Sequence, residues 1–243
     1  MVFGLFSKEK ALQKTIEKAT NKLSQQPDRF AALEKLKEDG SDDALVGLCK
    51  RFAITSMKGV EDEQEKHWVV DVLVEKGERV LGPLVRYMKS ADGLAFPLRV
   101  LERVASREQV LEIADQLFAS EQPGYVRMPE RRIDLLHWFG DWKPATDDEI
   151  VARFTPYVTD FDENVRFAAI DGMARRAPEK IAPPLIAALI RPEEESGRIK
   201  RAIVEVLESH QVPLGDQADK VQAVLTGPLG DDFKVVGGLL KKR

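Results

Sequence analysis

The sequence predicts an all-α fold, an α-solenoid built from about six stacked antiparallel helix pairs. Apolar residues recur at helical spacing through most of the chain. Residues 29–33 (RFAAL) recur as residues 166–170 (RFAAI), displaced by 137 residues, which is close to four times 34. Prolines mark the same place in three helices, at Pro83, Pro156 and Pro184. A repeat of about 34 residues that holds two helices is typical of stacked hairpins.

The clearest helix pair lies within residues 146–176. Thr146 and Glu149 form a capping box at the start of its first helix, and Pro156 bends that helix. The second helix is predicted from residue 163 to residue 176. It is apolar over most of its circumference and therefore needs neighbours on more than one side. The residues expected to pack most closely against those neighbours are Ala168, Ala169 and Gly172.

The other elements are predicted from caps, glycines and prolines. Ser106 and Gln109 form a second capping box, and Gly40 ends an early helix. The glycine-rich end of the chain shows no helical stripe and is expected to be flexible or to dock on an edge of the stack. Further helices are expected at residues 8–24, 28–38, 42–54, 60–75, 78–89, 93–105, 107–119 and 130–139, around Pro184, up to about residue 210, and at 216–225.

Residues 162–169 (DENVRFAA), which follow a proline-marked first helix, resemble the HEAT repeat, in which Asp-x-x-Val-Arg-x-x-Ala opens the second helix. Residues 197–203 (GRIKRAI) match this pattern loosely, without the Asp and with Lys in place of Arg. Tetratricopeptide repeats have the same period, but their Trp-Leu-Gly-Tyr pattern is absent. The resemblance implies three parts: a capping helix in residues 1–27, HEAT-like repeats in 28–210, and a C-terminal cap and tail in 211–243.

The N-terminal segment MVFGLFSKEK has too few apolar residues for the core of a signal peptide. Ser7 is expected to cap the first helix, and Phe3, Leu5 and Phe6 to cover the end of the stack. A brief membrane or partner contact by these three residues is the alternative. Cys49 is the one cysteine and allows no internal disulfide. These features predict a cytoplasmic protein.

The residues that could carry chemistry do not form a known site. Charged residues make up 32% of the chain and the net charge is −4, which does not favour nucleic acid. P-loop, dinucleotide and Gly-x-Ser-x-Gly motifs are absent. His67 and His137 are expected to pack beside core tryptophans, with a shared metal site as the alternative. The sequence therefore predicts no catalytic residue, metal site, cofactor or membrane span.

A line of cations recurs at repeat spacing near the starts of the second helices: Arg29, Arg99, Arg132, Arg166 and Lys200. The resemblance implies that such an arginine bonds to a turn acid of a neighbouring repeat, and Asp162 and Asp92 are available for that. The other interpretation is a groove for an acidic segment of a partner protein. The further arginines that would line this groove are Arg103, Arg131, Arg175, Arg176 and Arg201.

The predicted function is that of a non-catalytic scaffold or adaptor that binds another protein on the surface of the solenoid. Residues 120–129 form a longer connection between helices than its counterparts. The favoured interpretation is a tolerated insertion, and the other is a specific partner contact, for which Tyr125 would be the anchor. The alternative is a HEAT-like nucleic-acid enzyme that resembles alkylpurine DNA glycosylases. In that alternative the site residues would be Trp68, Trp138, Asp134 and Asp171.

Overall fold

The computed structural model describes the backbone of residues 2–243 and the side chains of residues 8–243. Within these residues the fold is all-helical, with fourteen α-helices, four short 3-10 helices and one small two-stranded sheet. None of the helices in the described part of the chain is both long and apolar enough to cross a membrane. The side chains of Phe3, Leu5, Phe6 and Ser7 lie outside the described ones.

The chain divides into two compact units, Met1–Leu117 and Phe118–Arg243, here called unit 1 and unit 2. The helices that stand second in the predicted pairs are here called second-type helices. In unit 1 they are α2, α4 and α6, which pack in sequence against one another, and α3 packs against α5. Helices two positions apart in the chain are therefore neighbours. The helices are α1 (Val2–Ala19), α2 (Gln26–Asp39), α3 (Asp42–Cys49), α4 (Gly59–Glu75), α5 (Leu81–Met88), α6 (Ala95–Val104) and α7 (Arg107–Ser120), whose last residues belong to unit 2.

Unit 2 repeats this arrangement, with α8, α10 and α12 in one row and α9, α11 and α13 in the other. A terminal β-hairpin packs against α12. The elements are α8 (Glu130–Asp141), α9 (Asp147–Phe154), α10 (Glu163–Met173), α11 (Pro178–Leu189), α12 (Gly197–Ser209), α13 (Ala218–Val224), α14 (Gly227–Asp232), β1 (Phe233–Val236) and β2 (Leu239–Lys242).

The close packing predicted for α10 is confirmed. Ala168 and Ala169 are buried. Gly172 lies so close to the ring of Phe154 that an added Cβ would stand 2.2 Å from its Cε2 atom. On the other side the Cα atom of Gly172 would lie 3.2 Å from a Cβ added to Gly140 on α8. The small residues therefore let α8, α9 and α10 approach one another closely.

The helix-start and helix-end signals are confirmed as well. Thr146 and Glu149 form the predicted capping box, and the backbone N–H of Ser106 donates to Gln109 in the other box. Gly40 ends α2 in the left-handed conformation, with φ of 59°. At Pro156 the α-helix gives way to the 3-10 helix Thr155–Thr159, because proline lacks the N–H that the α-helical pattern needs.

The predicted limits of two helices are wrong. The first helix runs from Val2 to Ala19 rather than from residue 8 to residue 24, so the backbone of Ser7 lies within the helix and not at its cap. After Ala19, Asn21 accepts the backbone N–H of Leu23 and stabilises a turn. Helix α10 ends at Met173 rather than residue 176. The chain must leave the helical conformation before Pro178, and it does so through a turn in which the N–H of Arg176 donates to the carbonyl of Met173.

The C-terminal residues are ordered, which corrects the expectation of a flexible tail and agrees with its alternative of docking. Strands β1 and β2 pair antiparallel around Gly237 and Gly238, whose φ angles of 61° and 75° suit a tight two-residue hairpin turn. Arg201 on α12 holds Asp232 at 2.6 Å. The backbone N–H of Leu214 donates to the carbonyl of Gly238 at 2.9 Å.

Candidate protein-binding loops

Three of the repeat-phase arginines are buried or nearly so, and each is paired with a carboxylate of the next second-type helix or of the turn before it. In unit 1, Arg29 on α2 contacts both carboxylate oxygens of Glu65 on α4, at 2.7 and 2.8 Å. Arg29 and Glu65 are each only 2% exposed. This bidentate geometry is the strongest form of the arginine–carboxylate pair.

In unit 2 the same role falls to Arg132 and Arg166. Arg132 on α8 lies 3.0 Å from Asp160, and Arg166 on α10 lies 2.8 Å from Glu194. Both acids are 2% exposed. The acids suggested from the sequence, Asp162 and Asp92, do not take this role. Asp162 instead caps α10, where it accepts the N–H groups of residues 164 and 165.

Each of these arginines also donates to a backbone carbonyl of the loop that precedes its own helix. Arg29 donates to the carbonyl of Ser24 at 2.9 Å, and Arg132 to that of Gly124 at 2.6 Å. Arg166 donates to the carbonyls of Asp160 and Phe161 at 3.0 and 3.1 Å. The buried ion pairs therefore fix the loops before α2, α8 and α10.

In unit 1 the Arg29–Glu65 pair is part of a larger buried network. Arg51 lies 2.8 Å from Glu65 and 2.7 Å from Asp62, and Lys66 lies 2.6 Å from the other oxygen of Asp62. Burial alone would raise the pKa of Asp62. The bonds from Lys66, the backbone N–H of Ser56 and Arg51 outweigh it and lower that pKa from 3.8 to about 2.

Asp62→Asn is expected to lower the free energy of unfolding of unit 1 by about 2 kcal/mol at neutral pH, the value of a pKa shift of this size. The folded pKa lies below the unfolded one, so the stability is present above about pH 4 and is lost as the pH falls towards 2. Urea unfolding at pH 7, 4, 3 and 2 should show the two proteins converging. A constant difference over this range would contradict the assignment.

The other predicted partner-binding arginines contact residues of their own unit. Arg99 lies over the ring of Phe96, 5.0 Å from its centroid. Arg176 donates to the carbonyls of Gly140 and Gly172. Arg175 pairs with Asp141. The remaining pairs are Arg103–Asp71 at 3.2 Å, Arg131–Glu121 at 2.6 Å and Arg201–Asp232 at 2.6 Å. Their role towards a partner stays a prediction.

The exposed large apolar side chains are concentrated on the loops that precede α2, α4, α8 and α10. In unit 2 they form a cluster, here called the loop-tip surface, that consists of Tyr125, Val126, Met128 and Phe161. In unit 1 they are Leu23 and Met57 on the loops before α2 and α4, and Val60 in the first turn of α4. Among the described side chains, Val236 on the hairpin is the one large exposed apolar residue elsewhere.

The loop-tip surface has a defined shape. The rings of Tyr125 and Phe161 meet edge to face with centroids 5.3 Å apart, although the two residues are 75% and 69% exposed. The hydroxyl of Tyr157 donates to the carbonyl of Glu121 at 3.0 Å. Together with the Arg132 bond to Gly124, this contact anchors the loop under its exposed aromatic tip.

Two cavities lie near these features. In unit 1 a cavity of about 410 Å³, here called the notch, lies between loop 20–25 and loop 54–58. In unit 2 a shallow groove of about 300 Å³ lies between α10 and α12, and Phe167, Ala174 and Val206 line its apolar floor. Asp171, a candidate of the glycosylase alternative, lies at the edge of this groove.

The histidines are not packed in the core, which corrects the sequence-based expectation. His67 is 58% exposed, and His137 is exposed as well. Trp68 packs against Phe30 in unit 1, and Trp138 stacks on Trp142 in unit 2. Among the described side chains no group of three or more His, Cys, Asp or Glu residues could hold a metal ion.

Phe161 and the notch residues Leu23 and Met57 were not predicted as surface contacts. Phe161 stands between two capping aspartates in a turn, and an apolar residue in such a polar turn was the available signal. Leu23 continues the helical spacing of the apolar residues of α1, a pattern that is typical of a core residue. Comparison with models of protein families, with curated proteins and with solved structures gave no significant match to this chain.

Proposed function

We propose that the chain is a HEAT-like α-solenoid that acts as a non-catalytic scaffold or adaptor and binds another protein through its fixed loops. The alternating rows of helices within each unit support the stacked-hairpin part of this proposal. We place the protein in the cytoplasm. Its single thiol, Cys49, is fully buried, and burial raises its pKa to about 12, which makes it unreactive.

One observation carries the binding function: the large apolar side chains of the loop-tip surface stand exposed on two loops, before α8 and before α10, that the buried arginines hold in place. Contiguous exposed apolar residues mark interaction sites, whereas scattered single ones need no explanation. Tyrosine is also among the residues that contribute most at protein interfaces. Arg127 lies between Val126 and Met128, is exposed, and has no ion pair within the described part of the chain. It could hold a carboxylate of the partner.

The double variant Tyr125→Ser/Phe161→Ser is expected to weaken partner binding about tenfold or more, because removal of two central aromatic contacts costs at least about 1.4 kcal/mol. Proteins captured by the wild type from a lysate would be identified, and the purified partner titrated calorimetrically against each variant. Stability should change little, since both side chains are exposed.

Val236→Ser is the matched control, since it removes the exposed apolar residue that lies outside the loops of unit 2. It should bind the partner as tightly as the wild type. Equal affinity for the double variant and the wild type would contradict the proposed role of the loop-tip surface. Binding of duplex DNA with a steep salt dependence would instead favour the nucleic-acid alternative.

A further inference from the structure

The notch of unit 1 combines a cavity with an apolar rim. Loop 20–25 and loop 54–58 form its walls, and its volume of about 410 Å³ is large enough for one or two amino-acid side chains. Leu23 and Met57 stand at the rim with exposures of 75% and 92%. Val60, in the first turn of α4, is 74% exposed as well. The rim therefore offers apolar surface around a concave centre.

The wall of the notch carries an excess of positive charge. Arg29 lines the notch and belongs to the buried network of unit 1. That network contains three cations and two carboxylates, namely Arg29, Arg51, Lys66, Asp62 and Glu65, which leaves one net positive charge out of water. Because a buried charge is screened less than an exposed one, its field extends into the notch.

The mouth of the notch adds two lysines. Lys22 is exposed and has no ion pair among the described side chains. Lys58 is 75% exposed and pairs with Glu61 at 2.9 Å. Glu61 is the one carboxylate residue that lines the notch. Cations thus outnumber carboxylates both in the wall and at the mouth.

We propose that the notch binds a segment of a partner protein that carries an aspartate or glutamate next to large apolar residues. The carboxylate enters the notch between Lys22 and Lys58, and the apolar side chains lie on Leu23 and Met57. This inference rests on the proposed protein-binding function and adds the chemistry of the segment that unit 1 recognises.

An anionic lipid surface would also attract lysines beside apolar residues. A bilayer surface would leave the concave notch unfilled, whereas a protruding side chain of a peptide fills it. The polar lining residues Ser24, Gln25 and Ser56 supply hydrogen-bonding groups that a peptide backbone can use. The notch therefore fits a peptide segment better than a membrane.

The test selects a displayed library of random 12-residue peptides on the full chain, in the wild type and two charge-reversed variants. Lys22→Glu/Lys58→Glu reverses the mouth of the notch. Lys10→Glu/Lys35→Glu is the matched control, since it changes the net charge equally at exposed lysines of α1 and α2 that do not line the notch. Equal melting temperatures of the three proteins would show that each is folded.

The wild type and the control are expected to enrich peptides with an acidic residue beside large apolar ones. A synthetic peptide of the enriched sequence should bind the notch variant about tenfold more weakly or worse, and the difference should shrink as salt rises. Enrichment of basic or uncharged peptides, no enrichment, or equal binding by the notch variant would each overturn the proposal. So would notch-dependent binding of phosphatidylserine vesicles without peptide enrichment. None of these results bears on the loop-tip surface of unit 2, which the Tyr125→Ser/Phe161→Ser variant tests separately.

Discussion

Glu65→Gln is expected to lower the free energy of unfolding of unit 1 by about 3–5 kcal/mol, the usual cost of breaking a buried ion pair from one side. Glutamine keeps the size of the side chain but removes its charge. Arg29 and Arg51 would then remain buried with Asp62 as the only carboxylate of the network. Such a loss is a large part of the stability of a typical domain.

Hydrogen exchange measured by mass spectrometry would locate the effect, with faster exchange in peptides from α2, α4 and the loops at residues 20–25 and 54–58. Glu63→Gln is the matched control, because Glu63 lies on the same helix two residues away and its side chain is 58% exposed. It should change stability by less than about 1 kcal/mol. Similar behaviour of the two variants would show that the network contributes little.

Ala169→Glu is expected to unfold the centre of unit 2. Ala169 is fully buried on α10, the helix on which Gly172 packs directly against the ring of Phe154. A carboxylate placed there without a partner costs several kcal/mol through desolvation alone, and overpacking adds to that cost. The melting temperature of the protein should fall strongly, or its cooperative transition should disappear.

Ala152→Glu provides the comparison for this variant, because Ala152 is exposed on α9 and the same carboxylate would remain in water. Its melting temperature should stay within a few degrees of that of the wild type. A similarly small change for Ala169→Glu would mean that α10 faces solvent at this position, contrary to the packing described above.

The helical fold was accessible from the sequence because its signals are local. Capping boxes, helix-ending glycines and prolines act within a few residues, and they gave the positions of α2, α4, α7 and α9 closely. The hairpin at Gly237 and Gly238 was missed although its signal was also local. Two glycines between short apolar runs favour a tight turn, but the strands around it are only four residues long.

The candidate sites depend on contacts that sequence spacing does not determine. The repeat phase identified Arg29, Arg132 and Arg166 as equivalent, yet their acids occupy different places. Glu65 lies inside a helix, whereas Asp160 and Glu194 lie in turns. Tyr125 was predicted as a contact residue from the length of its loop. Leu23 and Met57 were not, since exposure of an apolar residue is decided by where the neighbouring helix ends.

The arginine bonds to loop carbonyls have a consequence for the thermodynamics of recognition. Fixing the backbone of one residue costs about 1–2 kcal/mol of conformational entropy, and a flexible loop loses it when a partner binds. Here the loops at residues 20–25 and 121–129 have already lost part of that entropy during folding, through the bonds of Arg29 and Arg132. For the proposed binding, more of the contact energy at Leu23 or Tyr125 is therefore available for affinity. Because the anchors lie beneath the loops, substitutions at the exposed tips should alter the proposed recognition without disturbing the helices that support them.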